Sequence, residues 1–281
     1  MMRSMYAAVA GLRNHQTRMD VIGDNIANVN TPGFKRARAT FQDMFYQTLQ
    51  GGSAGDPANG MGGTNPKQIG LGIALGSIDV IHTQGASSPT GNGTDLMIQG
   101  DGFFVLSDAA TGGGNIYYTR AGNFHFDAHG NLVNSDGLYV LNTDGEAITV
   151  PVNAQNYTIS SDGKVKYIDN AGTLNEDNTI TIAKFSNPAG LIKVGQNLYQ
   201  YDAAAGFEAD DITTLPTVPP IGNNPGVDGR GTIVAGALEM SNVELAQEFT
   251  EMIITQRGFQ ANAKTITTSD EMLQELVNIK R

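Results

Sequence analysis

The feature that most constrains this chain is a stripe near its end. Stepping alternately four and three residues from Leu245 meets Phe249, Met252, Gln256, Phe259, Ala263, Ile266, Asp270, Leu273, Val277 and Lys280, and eight of these eleven are apolar. That interval stays on one side of an α-helix. An exposed strip of Leu, Phe and Ile is costly in water, so another helix must cover it. Asn242 is placed to cap the start and no proline interrupts the residues after it, so the spacing predicts one helix from Val243 to Ile279, a rod of roughly 55 Å.

The start of the chain offers a matching piece. Met5, Val9, Leu12, Gln16, Met19, Gly23 and Ile26 follow the same alternation, with Ser4 as the expected N-cap and Thr31-Pro32-Gly33 as the stop. At about 38 Å this helix is shorter than its partner, so part of the C-terminal stripe is left for other chains or for the middle of the protein to cover. The alternative is a pair of ordinary amphipathic helices packed on a sheet.

Between the helices the hydrophobic period changes. Gly51 to Gly63 holds six glycines and few large apolar residues, and reads as a connecting segment that orders only against something else. From about Ile73 to Ile182 the period is two. The runs Phe103–Leu106, Ile116–Thr119, Asn123–Phe126, Leu138–Leu141 and Thr179–Ile182 are separated by Asp101-Gly102, Gly130-Asn131, Asp136-Gly137, Asp144-Gly145 and Asp162-Gly163, pairs suited to hairpin turns. Pro216, Pro219, Pro220 and Pro225 then stiffen a return path to the last helix. The expected fold is therefore α+β: N- and C-terminal helices form a coiled-coil-like stalk around a central antiparallel β domain. The expected boundaries are an N-terminal helix over 1–33, a connector over 34–72, the β domain over 73–230 with room for a small inserted subdomain at about 143–215, and the C-terminal helix over 231–281.

Composition excludes several functions. The net charge of −11 argues against nucleic acid and anionic membrane, whose phosphates need clustered Lys and Arg. With no cysteine there is neither a disulfide, a thiolate metal site nor a cysteine nucleophile. No apolar run is long enough to span a membrane, and no cleavable export signal is visible at the start. Up to Arg38 the basic residues outnumber the acidic ones, so the entry segment is positive and the remainder strongly negative. This balance fits either a basic segment meeting an acidic surface of the last helix or a neighbouring copy, or two solvated helix faces.

Motifs for chemistry are weak. Gly70-Leu71-Gly72-Ile73-Ala74-Leu75-Gly76 has the wrong spacing for a dinucleotide loop and reads as strand-flanking glycines. His125, Asp127 and His129 would share a strand face as metal ligands do, but a turn at Ala128–Asn131 breaks that alignment and leaves a solvated hairpin end. No hydrolase nucleophile, zinc-protease or phosphate-loop motif occurs, so no catalytic, cofactor or metal site is expected.

The segment after the first helix carries a more specific signal. Asn25, Ala27, Asn28, Thr31, Gly33 and Phe34, followed by Lys35, form a pattern that resembles the N-terminal signature of bacterial flagellar rod and hook proteins. The resemblance extends through Thr40–Met44, Gly63–Gly72, Asp95–Phe104, Tyr118–Phe124, Gly236–Val243 and Gln256–Asn262, segments that include both ends of the chain. Within the family, the Gly63–Gly72 run and the ending from Ile266 look most like hook proteins. The resemblance thus implies a hook subunit that polymerises into a torque-transmitting tube, with the distal rod protein as the alternative. Space for only a small insertion between Asn142 and Asn224, where many hook proteins carry an outer domain, keeps that alternative open. It implies that Met5, Val9, Leu12, Met19 and Ile26, with Leu245, Phe249, Met252, Phe259, Ala263, Ile266, Leu273 and Val277, pack between subunits. It also implies, as partners, further copies of the chain, the distal rod protein, the hook cap, the hook–filament junction proteins and the type III export apparatus. Its expected place is the extracellular flagellum. A competing class is a secreted, oligomeric carbohydrate-binding protein or hydrolase.

Overall fold

A computed structural model describes residues 2–54, 62–111, 114–154, 156–170, 172–206 and 222–279. Residues 55–61 of the glycine-rich segment, and Pro216, Pro219 and Pro220 of the return path, lie outside the described residues. The chain forms two units: Met1–Ala27, Ala37–Val80 and Glu244–Arg281 make the first, and Asn28–Arg36 with Ile81–Val243 the second.

In the first unit, helices α1 (Met2–Ala27) and α2 (Leu245–Ile279) pack against each other. Strands β1 (Ala37–Asp43), β2 (Tyr46–Gln50), β3 (Lys67–Gly70) and β4 (Ile73–Val80) form two nested antiparallel pairs, β1 with β4 and β2 with β3. Both expected caps differ from the structure. Ser4 lies inside α1, and Asn242 precedes α2 by a turn and is spent in the second unit. There its side-chain amide donates to Ile81 O (2.8 Å) and its Oδ1 accepts from Arg36 N (2.8 Å). The first helix also stops earlier than expected, at Ala27, because Thr31 N turns back to Asn28 O. Gly70 to Gly72 joins β3 to β4, as strand-flanking glycines should. Gly72 holds φ +124°, and a Cβ there would sit 3.3 Å from Ala7 Cα on α1.

The second unit is almost entirely antiparallel β. Its strands are β5 (Ser87–Pro89), β6 (Leu96–Gln99), β7 (Phe103–Ser107), β8 (Ile116–Thr119), β9 (His125–Phe126), β10 (Leu132–Val133), β11 (Tyr139–Val140), β12 (Asn156–Ile159), β13 (Lys164–Ile168), β14 (Leu174–Thr179), β15 (Ile182–Ala183), β16 (Ile192–Gly195), β17 (Leu198–Gln200), β18 (Thr232–Ala235) and β19 (Ala237–Glu239). The main sheet runs β16-β17-β8-β7-β11-β10-β9, with β15 also on β7, and β12-β13-β14 form a second. β18 pairs with β6 and β19 with β5.

The core follows the period-two runs. Leu96, Ile98, Phe104, Leu106, Phe124, Leu132, Val140, Ile148, Ile180 and Ile182 are buried together, while Phe103, Val105, Tyr118, Phe185 and Tyr199 form a second cluster rich in edge-on rings. All five expected turns have their glycine at positive φ: Gly102, Gly130, Gly137, Gly145 and Gly163. Two of the turns repeat one device, since Asn134 Oδ1 accepts from Asp136 N and Leu138 N, and Asn142 Oδ1 from Asp144 N and Glu146 N. The run expected over Thr179–Ile182 is broken: β14 ends at Thr179 and β15 starts at Ile182, so the two halves serve different sheets.

Candidate assembly surface

The two helices run antiparallel, and named contacts fix their register. Asn25 Nδ2 donates to Glu248 Oε2 (3.2 Å) and Arg18 Nη2 to Glu251 Oε2 (3.1 Å). Further along, a Cβ on Gly258 would sit 2.7 Å from the His15 ring, and one on Gly11 would sit 2.7 Å from Asn262 Nδ2. The shared line is therefore Ala8, Gly11, His15, Arg18, Ile22 and Asn25 against Glu248, Glu251, Thr255, Gly258, Asn262 and Ser269. It is made of small and polar residues, and two glycines let the backbones come close.

This line is not the apolar stripe of either helix. On α1 it lies one residue before Val9, Leu12, Met19 and Ile26, which is about 100° round the helix. Met5, Leu12, Met19 and Ile26 are half-buried and Val9 is exposed. On α2, Met252, Ala263, Ile266 and Leu273 are half-buried, whereas Leu245, Phe249, Phe259 and Val277 are exposed, Phe249 at 49% and Val277 at 65%. Ile266 and Leu273 come nearest the shared line because a strict seven-residue repeat drifts about 20° per heptad on a straight helix. Ile253 and Ile254, outside the expected stripe, are also exposed. One chain thus spends its polar faces on itself and leaves large apolar side chains exposed, as contact surfaces do.

The family-motif residues have local work to do. Asn25, only 1% exposed, also donates to Ala37 O (2.8 Å) and accepts from Ala37 N (2.9 Å), pinning the start of β1 to α1. Ala27 ends the helix exposed. In the second unit, Thr31 Oγ1 donates to Asn28 Oδ1 (3.2 Å), and Lys193 Nζ lies 4.6 Å from the centre of the buried Phe34 ring. Gly33 sits at φ +72° with its N–H on Glu239 O (2.8 Å), and a Cβ there would collide with the Ala121 backbone.

That last contact leads to a cluster that motif reading missed. Glu239 Oε1 accepts from Lys35 Nζ (2.6 Å) and Gly85 N (2.9 Å), and its Oε2 from Arg120 Nη1 (3.3 Å). Lys35 also donates to Thr83 O (2.7 Å) and Arg120 to Gly100 O (2.9 Å). The Lys35 and Glu239 side chains are 0% exposed and that of Arg120 3%. Burial lowers the Lys35 pKa and Glu239 partly offsets that. His82 stacks edge-on to Phe103 nearby; burial, then the charges of Lys35 and Arg120, hold its pKa down at about 4. Each of the three charged residues lies in a segment singled out for its resemblance, but only the fold reveals that they meet. A usable signal was Glu239 flanked by Leu238 and Met240 on a short strand.

At the candidate metal face, Asp127 N and O close a hairpin turn with Asn131 O and Gly130 N, which points the chain elsewhere after His125. Among the described residues no helix is long and apolar enough to cross a membrane.

A paired set of terminal helices with apolar sides in water, and a β unit locked by a buried charge cluster, define an α+β structural subunit. Comparison with known proteins makes this specific. Family models match residues 5–35 (flagella basal body rod protein), 97–167 (flagellar hook protein FlgE/F/G D1 domain) and 234–279 (flagellar basal body rod FlgEFG protein C-terminal). Flagellar basal-body rod protein FlgG of Bacillus subtilis is 50% identical over the full length of both chains. FlgG of Borreliella burgdorferi is 38% identical over all of both chains, and flagellar hook protein FlgE of the same organism 30% over all of both. The chain belongs to the flagellar rod and hook protein family. It is a structural component of the flagellar axis rather than an enzyme, and it assembles with other axial proteins.

Proposed function

We propose that this protein is a subunit of the basal-body rod that polymerises head to tail through its terminal helices into a helical tube. The single observation carrying the polymer reading is the uncovered apolar side of α2, from Phe249 to Val277, on a helix whose polar side is already occupied by α1. A contact between different patches on successive copies does not close on itself and so extends into a filament. Full-length identity of 50% to a rod protein, against 30% to a hook protein, favours the rod over the hook. The hook remains the second reading, supported by the Gly63–Gly72 run and the ending after Ile266. Export through the flagellar type III apparatus, without removal of the N-terminus, accompanies either reading, since α1 is part of the contact surface.

Electron microscopy of basal bodies from a deletion strain tests the choice. Loss of the distal rod, and of everything beyond it, is expected; an intact rod lacking only the hook would overturn the rod assignment. Purified protein that stays monomeric at high concentration, both helices fully formed, would overturn the polymer itself.

A further inference from the structure

We infer that the C-terminal end of α2 docks on the N-terminal half of α1 of a second copy, held in register by Glu271 and Glu275 against Arg3 and Arg13. The inference rests on the polymer reading above and adds which surfaces meet. The antiparallel register, read from Asn25 at Glu248 to Gly11 at Asn262, brings Met2 level with about residue 271. The last two turns of α2 therefore have no α1 residue beside them among the described residues. Along those turns Met272, Leu276 and Ile279 are at least half exposed, and they share a groove with Thr268, Glu271 and Glu275.

The fitting surface is on α1. Met2, Tyr6, Val9 and Arg13 are exposed in one strip, roughly half a turn round the helix from the line shared with α2, and Arg3 is exposed beside it. Among the described residues none of Arg3, Arg13, Glu271 and Glu275 forms an ion pair within the chain. The N-terminal end of α1 also carries an unrelieved dipole, since its first turn has no acidic residue. A positive helix end with added cations is destabilised alone and relieved by carboxylates brought to it by a neighbour. Within one chain the α1 strip faces away from α2 and the α2 strip lies past the end of α1, so the two do not meet. Docking the α2 strip of one copy on the α1 strip of the next leaves a free strip at either end, so the contact propagates.

The test uses purified full-length protein and the concentration above which it pellets as polymer. Glu271→Lys with Glu275→Lys, and separately Arg3→Glu with Arg13→Glu, are each expected to raise that concentration roughly tenfold or more, while an equimolar mixture of the two variants returns it to within about threefold of wild type. Variants that assemble at the wild-type concentration, or a mixture that fails to recover, overturn the inference and leave the polymer standing. Wild-type protein that never pellets removes the polymer reading itself. A cysteine pair gives a readout independent of charge. The chain has no native cysteine, and in one molecule residue 9 lies opposite about residue 264, some 18 Å along the helix from Leu276 and beyond disulfide reach. Oxidised Val9→Cys/Leu276→Cys protein is expected to give a ladder of cross-linked multimers. A single monomer band, or a ladder that stops at the dimer, overturns the proposed contact.

Discussion

Replacing Glu239 by alanine tests the second unit where it is most exposed to failure. Among the described residues the carboxylate is the single anion paired with Lys35 and Arg120, all three side chains being at most 3% exposed. Without it two cations remain buried with no counter-charge. Removing one partner of a buried pair costs about 3–5 kcal/mol, a large part of the roughly 5–15 kcal/mol that holds a domain folded. With a urea dependence of about 2 kcal/mol per molar, the unfolding midpoint should fall by roughly 2 M. The protein has nine tyrosines and no tryptophan, and Tyr118 and Tyr199 are buried in the second unit, so tyrosine fluorescence reports its unfolding. The order of single variants is diagnostic. Lys35→Met leaves Arg120 and Glu239 balanced and should be mildest, Arg120→Met intermediate, and Glu239→Ala worst. Replacing all three by Met, Met and Leu should recover most of the loss, because no charge is then stranded. A midpoint for Glu239→Ala within about 0.5 M of wild type, or a triple variant as weak as the single, would refute this account.

Three other outcomes are expected. Phe259→Asp places a charge in the exposed stripe of α2 and should abolish pelletable polymer while leaving the tyrosine unfolding transition of the β unit in place. Gly258→Ala pushes a methyl into the His15 ring and should weaken the helix pair by about 1–3 kcal/mol, less the gain of about 0.5–1 kcal/mol from replacing a helical glycine; adding His15→Ala should restore it, seen as helical circular dichroism on heating. His82 takes up its proton at about 4 when folded but near the ordinary 6.5 when unfolded, so its contribution is complete above pH 6.5 and is lost as pH falls from there towards 4. The span sets an upper limit of roughly 3 kcal/mol, and His82→Phe should flatten the urea midpoint over that range.

Much of the architecture was legible because it rests on periodicity and turn chemistry. The long helices announce themselves through repeated apolar spacing, and the hairpins through glycines whose positive φ the turns require. What could not be read was the phase of the helix contact. Leu, Phe and Met mark the costly face, and one expects them to be covered by the other helix. Instead Gly11, His15, Gly258 and Asn262 take that place, because close approach of two backbones favours small residues over bulky ones. The caps were misjudged for a similar reason, since Asn242 finds better partners in Ile81 and Arg36 than in the first turn of α2. The charge cluster joins residues from three distant segments, and no local pattern says which cations share a carboxylate.

The spacing of that cluster along the chain has a consequence for synthesis and delivery. Lys35 appears first, Arg120 much later and Glu239 close to the end, so a chain emerging from its N-terminus holds two unquenched cations until nearly all of it is out. The interior of the β unit stays unlatched over that interval, and a molecule cut short before Glu239 never latches. The clasp closes only when the strand bearing Glu239 arrives, which makes the hardening of the β unit a late event in the emergence of the chain.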